Sequence, residues 1–219
     1  MNQISENRRQ FLKRAAIGAA AFPFLVNCGK STLAQKTEGL DVLNEIKENA
    51  IQDTKDEWWG ARNAPDEVRW KTKLVEEKDE GDRLLISGTI YKSDGRTPAP
   101  NVLIYFYHTD IKGLYGRNGQ HRHGRFRGWM LTDHQGRYSL FTIKPASYPD
   151  TTNPAHIHMT LTGVDFKEDW VDSILFKGDP FITARQRKIE RGGFDPILKL
   201  EKDSENILRG TRDIQLEKI

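Results

Sequence analysis

Apolar and β-branched residues of this chain come in short runs bounded by turn-forming residues, beginning near Val68. Leu84-Leu85-Ile86-Ser87-Gly88-Thr89-Ile90-Tyr91 is rich in β-formers and runs into the turn signal Ser93-Asp94-Gly95. Pro98 to Pro100 mark a loop, and Val102 to His108 give a second strong strand. Gly136 to Ile143 alternates until Pro145 stops it. His156 to Thr162 follows Pro154, Ile174 to Phe176 precedes Gly178-Asp179-Pro180, and Ile207 to Leu216 supplies a last strand. No long amphipathic helix and no internal repeat interrupts the set. Short strands separated by turns predict an all-β fold, an antiparallel β-sandwich over residues 66–219.

Ahead of the strands the pattern changes. Residues 28–65 are polar, with a short helix expected across Leu40 to Ala50 and then Trp58-Trp59, which reads as a tether and an arm lying on the domain. Before them, Arg8-Arg9-Gln10-Phe11-Leu12-Lys13 leads into an apolar stretch from Ala15 to Val26. That stretch is shorter than the roughly 20 residues a bilayer span needs. Residues 1–27 therefore read as an export signal of the twin-arginine type. The alternative, a buried N-terminal helix, would be broken by Pro23. Leu25-Val26-Asn27-Cys28 resembles a lipoprotein cleavage box, and acylation of Cys28 would tether the protein to a membrane without making it span one. The alternative there is cleavage nearby and an ordinary thiol. The expected location is the periplasm or cell envelope.

The charge follows the same division. Lys and Arg number 34 against 31 Asp and Glu, a formal net charge of +3. Residues 1–27 hold four bases and one acid, so the rest of the chain is neutral overall. That balance speaks against a polybasic nucleic-acid binder. With 37% hydrophobic and 30% charged residues, the composition is that of a soluble globular domain. The single cysteine excludes an intramolecular disulfide and a cysteine-based zinc site, leaving His, Tyr, Asp or Glu as metal ligands.

His156-Ile157-His158 is the centre of the candidate chemistry. On a strand, residues i and i+2 face the same side, so both imidazoles can reach one metal while Ile157 packs behind them. Tyr148 lies eight residues upstream between Pro145 and Pro149, and Tyr115 follows Gly113 at the end of another strand. A phenol with a pKa near 10 is a poor ligand for zinc or magnesium, whereas a trivalent iron is hard and acidic enough to take it as phenolate.

Gly88-Thr89-Ile90, Asp94-Gly95-Arg96-Thr97-Pro98, Gly113-Leu114-Tyr115, Thr132-Asp133-His134-Gln135-Gly136-Arg137-Tyr138, Thr142-Ile143-Lys144-Pro145, Tyr148-Pro149, Pro154-Ala155-His156-Ile157-His158 and Phe176-Lys177-Gly178-Asp179-Pro180 resemble the intradiol ring-cleavage dioxygenases. The resemblance covers residues 82–182 in order. It implies a non-haem Fe(III) with Tyr115 and His156 as equatorial ligands and Tyr148 and His158 as axial ones. A hydroxide would complete a neutral site. It also implies a catechol-type aromatic diol and O₂ as substrates, with Tyr148 taking a substrate proton and the ring opened to a muconate-type diacid. Family members often associate, so an oligomer is expected.

Two positions depart from the family pattern. Asn153 stands where an arginine usually precedes Pro-Ala-His-Ile-His, and Ser173 where a glutamine is common. Arg117, Arg122, Arg125 and Arg127 lie in an acid-free stretch from Gly113 to Thr132, and one of them is a candidate to replace the missing charge. The plainer reading of that stretch is a solvated basic loop. His121 and His123 suggest a four-histidine site with His156 and His158, but no glutamate follows at a suitable spacing. Tyr138 reads as a core residue, and His108 and His134 as strand-end or turn residues. Two other functions compete: a non-catalytic transthyretin-like envelope module that keeps a metal or chelator site, and a metal-dependent hydrolase. The second lacks a carboxylate beside His156 and His158.

Overall fold

The computed structural model describes residues 31–51, 59–116 and 121–218, with side chains from residue 40 onward. The expected export signal of residues 1–27, Cys28, Trp58 and Arg117 lie outside the described residues. Lys36–Ile219 forms one compact unit, and of Met1–Gln35 only the helical backbone from Ser31 is described. No described helix is long and apolar enough to cross a membrane.

Among the described residues two six-stranded sheets build the unit, the β-sandwich that the strand pattern leads one to expect. The strands are β1 (Lys71–Lys73), β2 (Arg83–Tyr91), β3 (Leu103–His108), β4 (Arg127–Leu131), β5 (Arg137–Ile143) and β6 (His156–Thr162). They continue with β7 (Asp169–Trp170), β8 (Ile174–Phe176), β9 (Ile197–Leu198), β10 (Glu201–Lys202), β11 (Leu208–Thr211) and β12 (Ile214–Gln215). One sheet runs β1-β5-β2-β11-β10 with β12 also on β2, and the other β4-β3-β6-β8-β9 with β7 on β6. The long pairings β2–β5, β3–β4 and β3–β6 are antiparallel. Among the described residues the parallel pairings all involve short strands, β1 on β5, β11 and β12 on β2, and β9 on β8.

Alternation decides which side chains face the other sheet. Leu84, Ile86 and Ile90 of β2 meet Ile104 and Phe106 of β3, Ile157, Met159 and Leu161 of β6, and Ile174 and Phe176 of β8 in one buried cluster. Each such side chain contributes roughly 1.5–3 kcal/mol when fully buried. Tyr138 joins them and donates its hydroxyl to the Arg212 carbonyl at 2.6 Å. β4 carries little of this signal, because Arg127 and Gly128 interrupt the apolar run. Its identity as a strand comes from pairing with β3, where Gly128 lies opposite Phe106.

β3 is buried on both faces, and the cover on its outer face explains why. A helix, α1 (Ser31–Glu48), begins earlier than the apolar pattern indicates because Ala, Leu, Gln, Lys and Glu favour helix without an amphipathic stripe. Its Leu43 and Ile46 pack with Ala50, Ala61, Ala64 and Leu103. Glu168, 2% exposed, holds this cover down. Its carboxylate accepts the backbone N–H groups of Gly60 at 3.0 Å and Ala61 at 3.1 Å, and the Thr160 hydroxyl at 2.8 Å. Asn49 donates its amide to the carbonyls of Gly163 and Val164, at 3.0 and 2.6 Å.

His108, the last residue of β3, is fully buried, with Nδ1 donating to the Thr109 carbonyl at 2.7 Å and Nε2 accepting from the Thr142 hydroxyl at 2.8 Å. Burial lowers its pKa from the usual 6.5 to about 4. The unfolded chain therefore takes up a proton at this position before the folded one does, and stability falls as pH drops from 6.5 toward 4. His108→Gln is expected to reduce that acid-dependent loss by on the order of 3 kcal/mol, read from urea midpoints at pH 7 and pH 4. Equal losses in both proteins would show that His108 is not the sensitive group.

Candidate metal centre

The pairing of β6 places its histidines. Ile157, Met159 and Leu161 point into the core, so His156 and His158 emerge on the opposite face of the sheet. The start of β6 is pinned by Asp179 of the Gly178-Asp179-Pro180 turn, whose carboxylate accepts the Ala155 N–H at 2.9 Å. His156 Nδ1 lies 2.7 Å from the Pro154 carbonyl, which can only accept. That bond places the proton on Nδ1 and turns a lone pair on Nε2 outward. His158 Nδ1 meets the Ser173 hydroxyl at 3.2 Å.

Two loops bring the phenols to the same spot. The Tyr115 hydroxyl lies 2.6 Å from that of Tyr148, which is 3.1 Å from His156 Nε2, itself 2.9 Å from His158 Nε2. Four donor atoms from three separate segments thus converge. The loops interlock through glycine. Gly113 has φ +74°, and a Cβ there would lie 2.0 Å from the Ser147 carbonyl oxygen. Gly124 has φ +65°, and a Cβ there would lie 1.3 Å from the Tyr115 carbonyl oxygen. The Asp110 carboxylate tightens the Tyr115 loop by accepting the N–H groups of Lys112 and Leu114, at 2.8 and 3.0 Å. The Thr109 hydroxyl ties it to the Tyr148 loop through the Ala146 carbonyl at 2.7 Å.

Desolvation controls the charge of this cluster. Burial, with the Tyr148 hydrogen bond adding to it, pushes the Tyr115 phenol far above its usual pKa. Burial also raises Tyr148, against the pull of its bond to Tyr115. Burial lowers His156, and lowers His158 to about 3 with help from the charges of His156 and His123. All four groups are therefore held neutral, with lone pairs crowded around one point and no counter-charge among them. A hard cation placed there would take the imidazole lone pairs and favour phenolate over phenol. Among the described residues no group of three or more His, Cys, Asp and Glu side chains is placed to hold a metal, so tyrosine oxygens are essential to this donor set.

The other candidates are scattered. Asn153 is exposed, its N–H directed to the Thr151 hydroxyl at 3.3 Å, and it takes no part in the described hydrogen bonds of the cluster. Arg125 is exposed. It pairs with Asp79 at 2.5 Å, donates to the Leu74 carbonyl at 3.0 Å and stacks on Phe126. Arg127 donates to the Gly124 carbonyl, and its charge lowers the pKa of Tyr105 and His123 against or beside the larger effect of burial. Arg122 is exposed, with a charge that acts on Tyr107 and His123. His123 is buried, with Nδ1 bonded to the Tyr105 hydroxyl at 2.6 Å and its ring 6.3 Å from that of Tyr115. Tyr105 and Tyr107 were not among the candidates. Their i, i+2 spacing on β3, opposite the histidine strand, is the signal that would have found them.

A family model described as Dioxygenase matches residues 59–191. The chain belongs to the intradiol dioxygenase family. It is 28% identical over 137 residues to the protocatechuate 3,4-dioxygenase beta chain of Burkholderia cepacia, a match covering 52% of this chain and 58% of that one. It is also 28% identical over 137 residues to catechol 1,2-dioxygenase of Acinetobacter baylyi, covering 54% of this chain and 43% of that one. The chain thus spans about half the length of the curated relatives it matches. The fold agrees with the dioxygenase domain of a dioxygenase and carbohydrate-binding protein fusion from Streptomyces sp. SirexAA-E. The TM-score is 0.53 at 21% identity, with 70% of this chain and 91% of that one covered. Gly113, in one of the intradiol segments, marks a close backbone approach between the Tyr115 and Tyr148 loops. Gly113→Ala is expected to cost about 1–3 kcal/mol of strain plus the clash with Ser147. Gly178→Ala, also at positive φ but with nothing within 4 Å of its Cβ, is expected to cost strain alone. Denaturant unfolding in which Gly113→Ala loses no more than Gly178→Ala would contradict the interlock.

Proposed function

We propose that this intradiol dioxygenase homologue is an Fe(III)-dependent enzyme that cleaves a catechol-type aromatic diol with O₂, giving a muconate-type diacid. The observation that carries this reading is the convergence of two phenol oxygens and two imidazole nitrogens with no carboxylate among them. Tyr115, Tyr148, His156 and His158 would hold the iron. When bound, Fe(III) supplies the Lewis acidity that makes a catecholate ring reactive toward O₂. The protein's own work is positional and protolytic. Tyr148 Oη lies within hydrogen-bonding distance of both Tyr115 Oη and His156 Nε2, the central place in the cluster. As a phenolate it is the group placed to accept a substrate hydroxyl proton. Asn153 offers no charge beside the substrate, and the positive potential comes instead from Arg122 and Arg127. Export of the protein and a lipid tether at Cys28 complete the proposal and place the reaction in the cell envelope.

Phenolate bound to Fe(III) absorbs strongly in the visible, so protein loaded with iron is expected to turn red to burgundy and to consume O₂ with a catechol. Tyr148→Phe should shift the band and lower turnover by roughly 100-fold or more. His158→Ala should lose the iron. Protein that stays colourless after iron loading excludes the reading, while colour without O₂ uptake on a panel of catechols favours the non-catalytic binding module. For location, Cys28→Ser is expected to move the protein from the membrane fraction to the soluble envelope fraction, and unchanged fractionation would exclude the lipid tether.

A further inference from the structure

The two histidines of β6 are not held alike. His156 is 8% exposed and clamped by a 2.7 Å bond to a carbonyl, whereas His158 is less buried and has a 3.2 Å contact with the Ser173 hydroxyl. A hydroxyl on a side chain turns freely, so this bond alone fixes the His158 ring poorly. What the ring does have is an aromatic neighbour. Tyr107 lies directly opposite His158 in the β3–β6 register, and their rings stack with centroids 4.7 Å apart at 29°. Tyr107 also stacks on His123, at 3.6 Å and 5°. Trp170 closes on the edge of His158 at 5.8 Å and 75°.

Resting on the iron-site reading, we propose that Tyr107 and His123 are positioning residues for His158. The stack of His158, Tyr107 and His123 sets the plane of the metal-binding imidazole, the task that a carbonyl performs for His156. The stack is itself anchored. His123 is fully buried and held by the Tyr105 hydroxyl at 2.6 Å, and Tyr105 is 1% exposed. The next residue after His123 is Gly124, whose Cα hydrogen faces the Tyr115 carbonyl with no room for a side chain. One short turn, residues 121–124, therefore braces two of the four donors: Tyr115 by backbone contact and His158 through the Tyr107 ring. Outer groups that orient a metal ligand are commonly worth 10- to 100-fold in metal affinity.

The test separates ring stacking from hydroxyl chemistry and from folding. In the full chain, Tyr107→Phe keeps a ring on His158, while Tyr107→Leu keeps an apolar side chain without one. His123→Ala removes the far ring. The expected result is that Tyr107→Phe retains iron against a competing chelator within about twofold of the parent and keeps the visible band. Tyr107→Leu and His123→Ala are expected to lose about tenfold or more and to shift the band, in protein whose thermal unfolding stays cooperative. Leu and Ala variants that match the Phe variant would overturn the proposal. A second readout needs no iron. In metal-free protein the His158 ring protons should be shifted upfield by the Tyr107 ring, a shift kept in Tyr107→Phe and lost in Tyr107→Leu. A parent protein that takes up no iron but shows this pattern refutes the iron-site reading and leaves the stack intact. Absence of the upfield shift in the parent refutes the stack whatever the iron result.

Discussion

The pairing of β3 with β6 governs what this protein can do on the sheet face turned away from the sandwich core. Ile104 and Phe106 from one strand and Ile157, Met159 and Leu161 from the other must face the sandwich core. With a side-chain period of two, that requirement sends Tyr105, Tyr107, His156 and His158 to the far side together. A slip of β6 by one residue would drive two imidazoles into the core and expose Ile157, Met159 and Leu161. The hydrophobic effect therefore aligns the polar cluster without acting on it directly.

That face cannot stay bare, because its tyrosines and tryptophans are largely apolar. The cover comes from segments far away in sequence. Leu43 and Ile46 of α1 pack against Leu103, and the buried Glu168 carboxylate gathers the N–H groups of Gly60 and Ala61. Trp59 meets Trp170 at 5.2 Å, which extends the aromatic wall beside His158. Burial by this cover and by the loops of Tyr115 and Tyr148 shifts the phenols up and the imidazoles down. That desolvation holds the four groups neutral. Packing and ligand chemistry are thus linked through dielectric rather than through any single bond.

Much of this was legible residue by residue. The His156-Ile157-His158 alternation announces two donors on one face wherever a strand forms, and the proline-bounded Tyr148 loop sits close enough in sequence to reach them. The Gly178-Asp179-Pro180 motif is visible as a turn, but its carboxylate's grip on the Ala155 N–H depends on β8 pairing with β6. β4 could not be read, since arginine and glycine hide a strand whose order comes from its neighbour. Arg125 looked like its neighbours Arg122 and Arg127, and only the approach of Asp79 shows that it serves a surface ion pair.

The sequence by itself determined the two-sheet β architecture, the shared face of His156 and His158, and the balance of charge beyond residue 27. These follow from local periodicity and composition, which need no knowledge of distant partners. Tertiary structure alone decided that Tyr115 and Tyr148 meet at 2.6 Å, that Arg125 pairs with Asp79, and that Tyr107 and His123 stack beside His158. Those outcomes depend on sheet register and on glycine-permitted contacts between loops, both of which arise only when segments remote in the chain are pressed together around one core.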